Sequence, residues 1–315
     1  MSGALEPRAI EPLYVRYQVP DLGRAEAFLR DFGLQSTGRK GDQLYLRGTG
    51  GAPWIYEAVR GPDARFLGAG FRMSSDKDLD RLAALRGSGK VEAVEAPGGG
   101  RRVRMRMSDG FEIDAVHGMD AAPPLATRNS IAHNTARAKP RSNSSVRIER
   151  AAVPVMRLGH FVLHVSDHRA AVGWLRERLG LLPSDYMGPP GDPAQAAGTF
   201  LRVDRGSEMV DHHCMLVLGT DKPGVHHCSF EVEDLDAVMA GHDYLSERGY
   251  TLDCGVGRHL LGSQIFDYWR DPFGFRVEHY TDGDVVNDRH QPGIFSGSAD
   301  ETTQWGAKPP KEFFE

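Results

Sequence analysis

Three residues in the second half of the chain are of metal-ligand type and lie on separate segments with the pattern of β-strands. They are His160 in LGHFVLHV, His227 in VHHCSFEV and Glu278 in GFRVEHY. Two histidines and one carboxylate form the facial triad that holds a divalent iron and leaves coordination positions open. Because the three lie far apart in sequence, only the folded chain can bring them together. Each alone also fits a structural role, as a hydrogen-bonded core histidine or a glutamate that faces water.

Other polar residues in the same half have side chains suited to proton transfer. His213 belongs to a histidine doublet, and His259 and Tyr268 lie in RHLLGSQIFDYW. A histidine beside an open metal site can shuttle protons, and a tyrosine can hydrogen-bond a phenolate. Adjacent strand residues face opposite sides, so one histidine of each doublet, 212–213 and 226–227, is expected to point inward. Three further histidines are interpreted as ordinary core or surface residues: His164, His242 and His279.

The elements that must position these residues occur twice along the chain. The first half begins with YVRYQVPDLGRAEAFLRDFGL and the second with HFVLHVSDHRAAVGWLRERLGL. Each pattern predicts a strand, a turn at Asp21 or Asp167, and an amphipathic helix closed by Gly33 or Gly180. A strand, a helix and several strands then recur twice per half. This order favours mixed α+β layers over a doubly wound parallel sheet.

The first half provides an internal comparison for the predicted metal site. When the halves are aligned through their shared turns and strands, Tyr14 takes the place of His160 and Asp114 takes the place of Glu278. Near the position of His227 the first half reads FLGAGFRM, without a histidine. A complete ligand set is therefore expected in the second half alone.

Four segments follow from these patterns. They are an N-terminal domain at 8–120 whose metal site is lost, a linker at 121–155, a catalytic domain at 156–282 and a polar tail at 283–315. The tail carries Phe295, Trp305 and Phe313, which could dock back on the body. In GGGRRVRMRM, Arg102, Arg104 and Arg106 alternate with apolar residues, which predicts a half-buried strand with the arginines on its solvated face.

The composition excludes several classes of protein. The 315 residues include 38 Lys plus Arg and 43 Asp plus Glu, a formal net charge of −5, which argues against a general nucleic-acid binder. No stretch approaches the roughly 18 apolar residues of a membrane span, and the start of the chain lacks the pattern of a secretory signal. Three cysteines are too few for a disulfide framework. We therefore expect a cytoplasmic protein without a membrane partner.

The second half resembles the catalytic domain of the type I extradiol ring-cleavage dioxygenases of the vicinal oxygen chelate (glyoxalase/bleomycin resistance/dioxygenase) superfamily. The matching stretches are LGHFVLHVSD, both histidine doublets and RHLLGSQIFDYWRDPFGFRVEHY. The resemblance covers residues 10–282, although the first half matches only in pattern. It implies an α+β fold of two domains, each with two βαβββ modules, and a metal in the C-terminal domain. Leu261 is a departure, because several relatives carry asparagine there.

The resemblance also implies roles for the six candidate residues. His160, His227 and Glu278 fall on the metal ligands, and Fe(II) or Mn(II) would suit this set. His213 falls on the acid–base histidine, while His259 and Tyr268 fall on residues that orient and deprotonate a catechol. No organic cofactor is implied.

The implied activity is extradiol ring cleavage of a catecholic or trihydroxylated aromatic compound with O2, in the breakdown of aromatic compounds. A homo-oligomer is expected. One alternative is a metal-dependent isomerase or thiol transferase of the same superfamily, for which His213, His259 and Tyr268 would be unexplained. Another is a non-catalytic protein that binds a small molecule, which would have little reason to keep a complete ligand set.

Overall fold

The structure, a computed structural model, describes residues 7–296, 302–310 and 313, and its N-terminal half forms one mixed sheet with two helices. The strands are β1 (Ala9–Val19), β2 (Gln35–Lys40), β3 (Gln43–Arg47), β4 (Tyr56–Arg60), β5 (Arg65–Met73), β6 (Ser88–Ala93), β7 (Arg101–Arg106) and β8 (Glu112–His117). The helices are α1 (Leu22–Asp31) and α2 (Asp76–Ala84). The strand order is β2-β3-β4-β1-β5-β8-β7-β6.

The C-terminal half forms a second, larger sheet. Its strands are β9 (Arg157–Val165), β10 (Leu182–Met187), β11 (Gly198–Arg202), β12 (Val210–Asp211), β13 (Met215–Gly219), β14 (Gly224–Glu231), β15 (Thr251–His259), β16 (Ile265–Arg270), β17 (Arg276–Thr281), β18 (Val285–Val286), β19 (Gly293–Phe295) and β20 (Thr303–Gly306). The helices are α3 (His168–Leu179), a 3₁₀ turn at Pro193–Gln195, and α4 (Leu235–Glu247). The sheet order is β19-β10-β11-β13-β9-β14-β17-β16-β15-β20, and β12 pairs with β18.

The two sheets share one strand order. Leaving out β19 and β20, which extend the two edges, the second sheet repeats the first strand for strand. Each half consists of two successive units of a strand, a helix and three sheet strands, so the predicted α+β fold with four βαβββ modules is confirmed. From 118 to 156, all of it described, the chain has no helix or strand.

The two aspartates predicted to lie in the turn before the first helix of each half are helix N-caps. The Asp21 carboxylate accepts hydrogen bonds from two amides at the start of α1, and Asp167 accepts one from Ala170 at the start of α3. Such a side chain satisfies amides that the helix itself leaves unpaired. Gly180 ends α3 with a left-handed φ of 67°, as predicted.

The helices of both halves pack into one continuous apolar core. Phe32 from the end of α1 packs edge-on against Phe230 of β14, and Phe71 of β5 lies 5.7 Å from Phe161 of β9 between ring centroids. The hydroxyl of Tyr17 lies 2.9 Å from the buried Cys228 sulfur. These contacts join the halves through the helix-covered faces of their sheets. Within the described residues, no helix is long and apolar enough to cross a membrane.

Two features outside the core bear on the sequence predictions: an arginine of β7 and the aromatic residues of the tail. Arg104 does not lie on a solvated face, because its guanidinium makes two hydrogen bonds to the buried Asp114 carboxylate. In the tail, Phe313 docks on the body and is 2% exposed. Trp305 stays 46% exposed although β20 pairs with β15. The prediction that tail aromatics return to the body is therefore confirmed for Phe313.

Candidate metal centre and active site

Three neighbouring strands bring together the predicted ligands on the concave face of the second sheet. Ser229 on β14 lies opposite both His160 on β9 and Glu278 on β17, so His227 lies two residues along the same strand face. Glu278 Oε2 is 3.3 Å from Nε2 of His160 and 3.3 Å from Nε2 of His227. The two Nε2 atoms are 3.4 Å apart. These three atoms form a triangle of potential metal ligands, called the ligand triangle below.

The environment of this triangle fits a divalent cation. Glu278 is fully buried, and among the described residues neither of its carboxylate oxygens has a hydrogen-bond partner. Burial alone would raise the pKa of Glu278, but the adjacent His160 and His227 hold it well below its usual range. Burial lowers the pKa of His227 to about 4. Carboxylate and imidazole side chains are the ligand types that a metal binds, and a buried carboxylate that accepts no hydrogen bond is stabilised by a cation beside it.

His213 lies beside the triangle. Its ring centroid is 4.4 Å from that of His160 and 4.9 Å from that of Phe200, which packs edge-on against it. Burial, followed by the neighbouring His160 and His212, lowers the pKa of His213 well below the ordinary value. The imidazole is therefore neutral and can accept a proton.

His259 and Tyr268 form a hydrogen-bonded pair that also borders the ligand triangle. His259 Nε2 is 2.7 Å from the Tyr268 hydroxyl and 3.8 Å from Glu278 Oε1. Burial, and then the charge of Glu278, raises the pKa of Tyr268 well above the ordinary value. Burial lowers the pKa of His259. The pair thus presents a protonated phenol and a neutral imidazole.

The histidine doublets follow the expected alternation in part. His213 lines the cavity, whereas His212 turns away from it and meets Asp185, 2.8 Å from Oδ2. In the second doublet both His226 and His227 border the cavity, so the expectation of a single inward residue is wrong there. The register of β14 shifts between Val225 and His227, so strict alternation fails at His226. The Nε2 of His226 lies 2.5 Å from the backbone carbonyl of Phe313 in the tail.

The cavity above the ligand triangle is open to solvent and has a largely apolar lining. One wall consists of side chains from the four strands β9, β10, β11 and β13: Val162, Met187, Phe200, Leu216 and Leu218. Leu261 packs against this cluster at the position where relatives often have asparagine. The tail contributes Phe295, which pairs with Met187 of this wall, and Phe313, which packs against His226 and Tyr268.

Several residues of the site were not found from the sequence. Gln264 places its side-chain amide 3.5 Å from His160 Nδ1, and Asp185 supports His212. Neither lies in a pattern that distinguishes it from other polar residues. A carboxylate partner for the outward histidine of a doublet could have been expected in general, but its position along the chain could not.

Comparisons with known proteins agree with this fold. Residues 157–279 match the Glyoxalase/Bleomycin resistance protein/Dioxygenase superfamily. The chain is 30% identical over 302 residues to metapyrocatechase 2 of Cupriavidus necator, a match that covers 94% of this chain and 88% of the relative. The chain therefore belongs to the extradiol ring-cleavage dioxygenases of the vicinal oxygen chelate superfamily.

Solved structures are similar over nearly the whole chain. The Mn(II)-bound glyoxalase of Novosphingobium aromaticivorans is 23% identical with a TM-score of 0.80, covering 97% of this chain and 94% of that one. Homoprotocatechuate 2,3-dioxygenase of Brevibacterium fuscum, in complex with 3,4-dihydroxyphenylacetate, is 18% identical with a TM-score of 0.78, covering 99% and 93%. At these identities the likeness supports the shared fold.

Proposed function

We propose that this protein cleaves the ring of a catechol by the extradiol route, incorporating both atoms of O2, with Fe(II) held by His160, His227 and Glu278. The observation that carries this proposal is the triangle of ligand atoms, 3.3–3.4 Å apart, at the base of an apolar cavity. Two histidines and a carboxylate with open positions are the ligand set of non-haem Fe(II) oxygenases. Mn(II) suits the same ligands and is the runner-up metal.

A metal held by these three residues would supply open coordination positions for the two substrate oxygens and for O2, and would let electron density pass from the catecholate ring to oxygen. The protein supplies the rest of the site. His160 and His227 are held by their strands and by the buried Glu278, so the ligand geometry exists before substrate arrives. Such preorganisation reduces the cost of assembling the site during the reaction.

Two groups that line the cavity handle protons. The neutral His259 accepts a proton released by a ring hydroxyl, and the Tyr268 hydroxyl donates a hydrogen bond to the resulting anion. His213 is neutral and able to accept a proton and return it at ring opening. General acid–base catalysis of this kind contributes about 10²- to 10⁴-fold in rate.

The lining favours an uncharged, apolar substituent on the ring. Among the described residues that line the cavity, none is lysine or arginine, and the wall above His160 is formed by aliphatic and aromatic side chains. A carboxylate pressed against Leu216 and Leu218 would be buried without a partner, which costs several kcal/mol. A methyl or ethyl group there gains about 0.8 kcal/mol per buried CH₂. We therefore propose alkyl-substituted or unsubstituted catechols as substrates; the expected homo-oligomer stays a prediction.

Oxygen consumption tests the function directly. Protein loaded anaerobically with Fe(II) is mixed with catechol, 4-methylcatechol, 4-ethylcatechol or 3,4-dihydroxyphenylacetate, and O2 uptake and the yellow ring-opened product are followed together. We expect one O2 per product, with kcat/KM for 4-ethylcatechol at least about tenfold above that for the acid. Failure to consume O2 with any catechol would contradict the proposal, and faster cleavage of the acid would contradict the substrate class.

A further inference from the structure

A chain of polar contacts runs from Asp185 on β10 through His212 to His213. Asp185 Oδ2 lies 2.8 Å from His212 Nε2, and His212 Nδ1 lies 3.1 Å from His213 Nδ1. All three side chains are buried. The other carboxylate oxygen, Oδ1, accepts a hydrogen bond of 2.7 Å from the Gly293 amide of β19. Both oxygens of the carboxylate are therefore committed, each to a defined partner.

These contacts fix the direction of each hydrogen bond. A carboxylate can only accept, so His212 Nε2 carries the proton toward Asp185. We take His212 to be a neutral imidazole with one N–H, which leaves its Nδ1 as an acceptor. The atom facing it is His213 Nδ1, which must then be the donor. His213 Nε2 is left with its lone pair, ready to accept a proton.

The packing around the two rings leaves this arrangement little freedom. Gly262 lies over the contact with a left-handed φ of 76°, and a Cβ there would be 3.3 Å from Nδ1 of both His212 and His213. Phe200 packs edge-on against His213. The Nδ1 side of His213 is therefore enclosed, and Nε2 is the nitrogen available to a molecule in the cavity.

We propose that Asp185 and His212 are positioning residues that set the tautomer of His213, so that its Nε2 is unprotonated when substrate arrives. This inference rests on the proposed function for its catalytic consequence, although the tautomer itself does not depend on activity. Each residue acts through the next, and neither touches the reacting atoms. In the Ser-His-Asp triad, where a carboxylate likewise fixes a tautomer, an Asp-to-Asn change lowers kcat by about 10⁴.

Asp185→Asn is the informative variant, because it should reverse the chain rather than remove it. The Gly293 amide requires an oxygen, so the asparagine oxygen stays there and its NH₂ group faces His212 Nε2. His212 Nε2 must then accept, its Nδ1 carries the proton, and His213 Nδ1 becomes the acceptor. The proton of His213 moves to Nε2, which can no longer serve as a base.

Nitrogen NMR of the metal-free protein reads the tautomer without any turnover. In ¹⁵N-histidine-labelled wild type we expect His213 Nε2 to have the chemical shift of an unprotonated ring nitrogen and Nδ1 that of a protonated one. His213→Gln and His212→Gln assign the signals. In Asp185→Asn the two shifts should exchange, whereas the exposed Asp221→Asn should leave them unchanged. A protonated His213 Nε2 in wild type would overturn the proposal.

Kinetics of the iron-loaded variants test the consequence. We expect Asp185→Asn to lower kcat on the order of 10²-fold with KM for 4-methylcatechol, iron content and melting temperature close to wild type. His212→Phe should also lower kcat, whereas Asp221→Asn should match wild type. Unchanged kcat in Asp185→Asn would overturn the inference. If wild type cleaves no catechol, the proposed function fails, and the NMR result still decides the tautomer.

Metal analysis tests whether Asp185 and His212 bind a cation instead of positioning His213. Ligand-type atoms of Asp185, His212 and His290 lie within 4.8 Å of one another, a spacing that could also hold a cation. A cation there would replace the proton on His212 Nε2, so the hydrogen-bond directions given above would no longer apply. We expect one iron per chain in wild type and in Asp185→Asn. A second bound metal, lost in Asp185→Asn and retained in Glu278→Gln, would overturn the proposal.

Discussion

The sheets of the two halves have the same strand order, but the side chains on their concave faces differ in chemistry. Gly70 on β5 pairs with both Tyr14 and Asp114, as Ser229 on β14 pairs with both His160 and Glu278. The strand register therefore confirms that Tyr14 corresponds to His160 and Asp114 to Glu278. In the first half the Tyr14 hydroxyl donates to Asp114 Oδ2 over 2.9 Å.

In the first half, arginine side chains of the same domain neutralise the buried Asp114 carboxylate. Arg104 makes two hydrogen bonds to Asp114, and Arg16 pairs with Glu57 and Glu112. In the strand register of the first half, Gly68 takes the position of His227 and lies opposite Arg16. In the second half, His227 lies opposite Val162. Trp54 stacks on Tyr14 with centroids 4.0 Å apart and fills the remaining space.

The comparison shows how one scaffold gives a closed face and an open one. A guanidinium satisfies the carboxylate of the first half, and an aromatic stack occupies its cup. In the second half the carboxylate has no such partner among the described residues, and the cup is lined by apolar side chains around an open volume. The groups of described residues that could hold a metal both lie in the second half.

Matched substitutions of the two carboxylates should separate the halves most strongly. Glu278→Gln removes the charge that holds the proposed metal, so we expect iron content to fall below about a tenth of wild type and turnover by at least about 10³-fold. Asp114→Asn should retain iron and turnover within about twofold while lowering the melting temperature, because Arg104 loses its partner. Loss of iron in Asp114→Asn would show that the first half contributes to the site.

The first half should resist conversion to a metal site at Gly68. Its φ is 153°, and a Cβ there would lie 1.8 Å from the Glu112 carbonyl oxygen. We expect Gly68→Ala to lower the free energy of unfolding by about 3 kcal/mol in urea titrations. Gly224→Ala on β14, where nothing lies within 4 Å of the added Cβ, should cost less than about 1 kcal/mol. Equal costs would mean that the close approach is not a constraint.

The contact between the halves should be sensitive to acid. His279 stacks on Phe32 and donates Nε2–H to its carbonyl, 2.7 Å away, and burial lowers the pKa of His279 to about 4. The unfolded chain binds this proton near pH 6.5, so the stabilisation is complete above that pH and is lost as the pH falls toward 4. The loss from this group is about 3 kcal/mol.

Urea titrations of the metal-free protein between pH 7 and 4 measure this dependence. We expect His279→Phe, which keeps the stacked ring, to lose less stability over that range than wild type does. Identical slopes for the two proteins would contradict the assignment to His279.

The tail should have the smallest effect, on substrate binding rather than on chemistry. Phe313 packs edge-on against His226 and Tyr268 at the rim of the cavity. We expect Phe313→Ala to raise KM for 4-methylcatechol about fivefold with kcat within about twofold. Trp305→Ala, at an exposed tail position, should leave KM unchanged. A fall in kcat with unchanged KM would instead assign Phe313 a part in the reaction steps.

The metal-ligand residues could be predicted from the sequence because their side-chain types are distinctive. Residues that reach the site only through tertiary packing could not. His160, His227 and Glu278 could be singled out because the duplicated pattern puts them on corresponding strands, and the structure brings their side chains together. Phe313 reaches the cavity from a tail with no periodicity. Arg106 of β7 is exposed as the alternation predicts, but Arg104 is not. Alternation identifies a strand face and does not reveal the buried Asp114 carboxylate on the neighbouring strand.

Anomalous diffraction from crystals of the iron-loaded protein shows directly whether only one half of this duplicated protein holds the metal. We expect a single strong iron peak per chain, within bonding distance of His160 Nε2, His227 Nε2 and a Glu278 carboxylate oxygen, and no peak beside Tyr14 and Asp114. Iron bound in the first half, or no iron at the three residues of the second, would contradict this expectation.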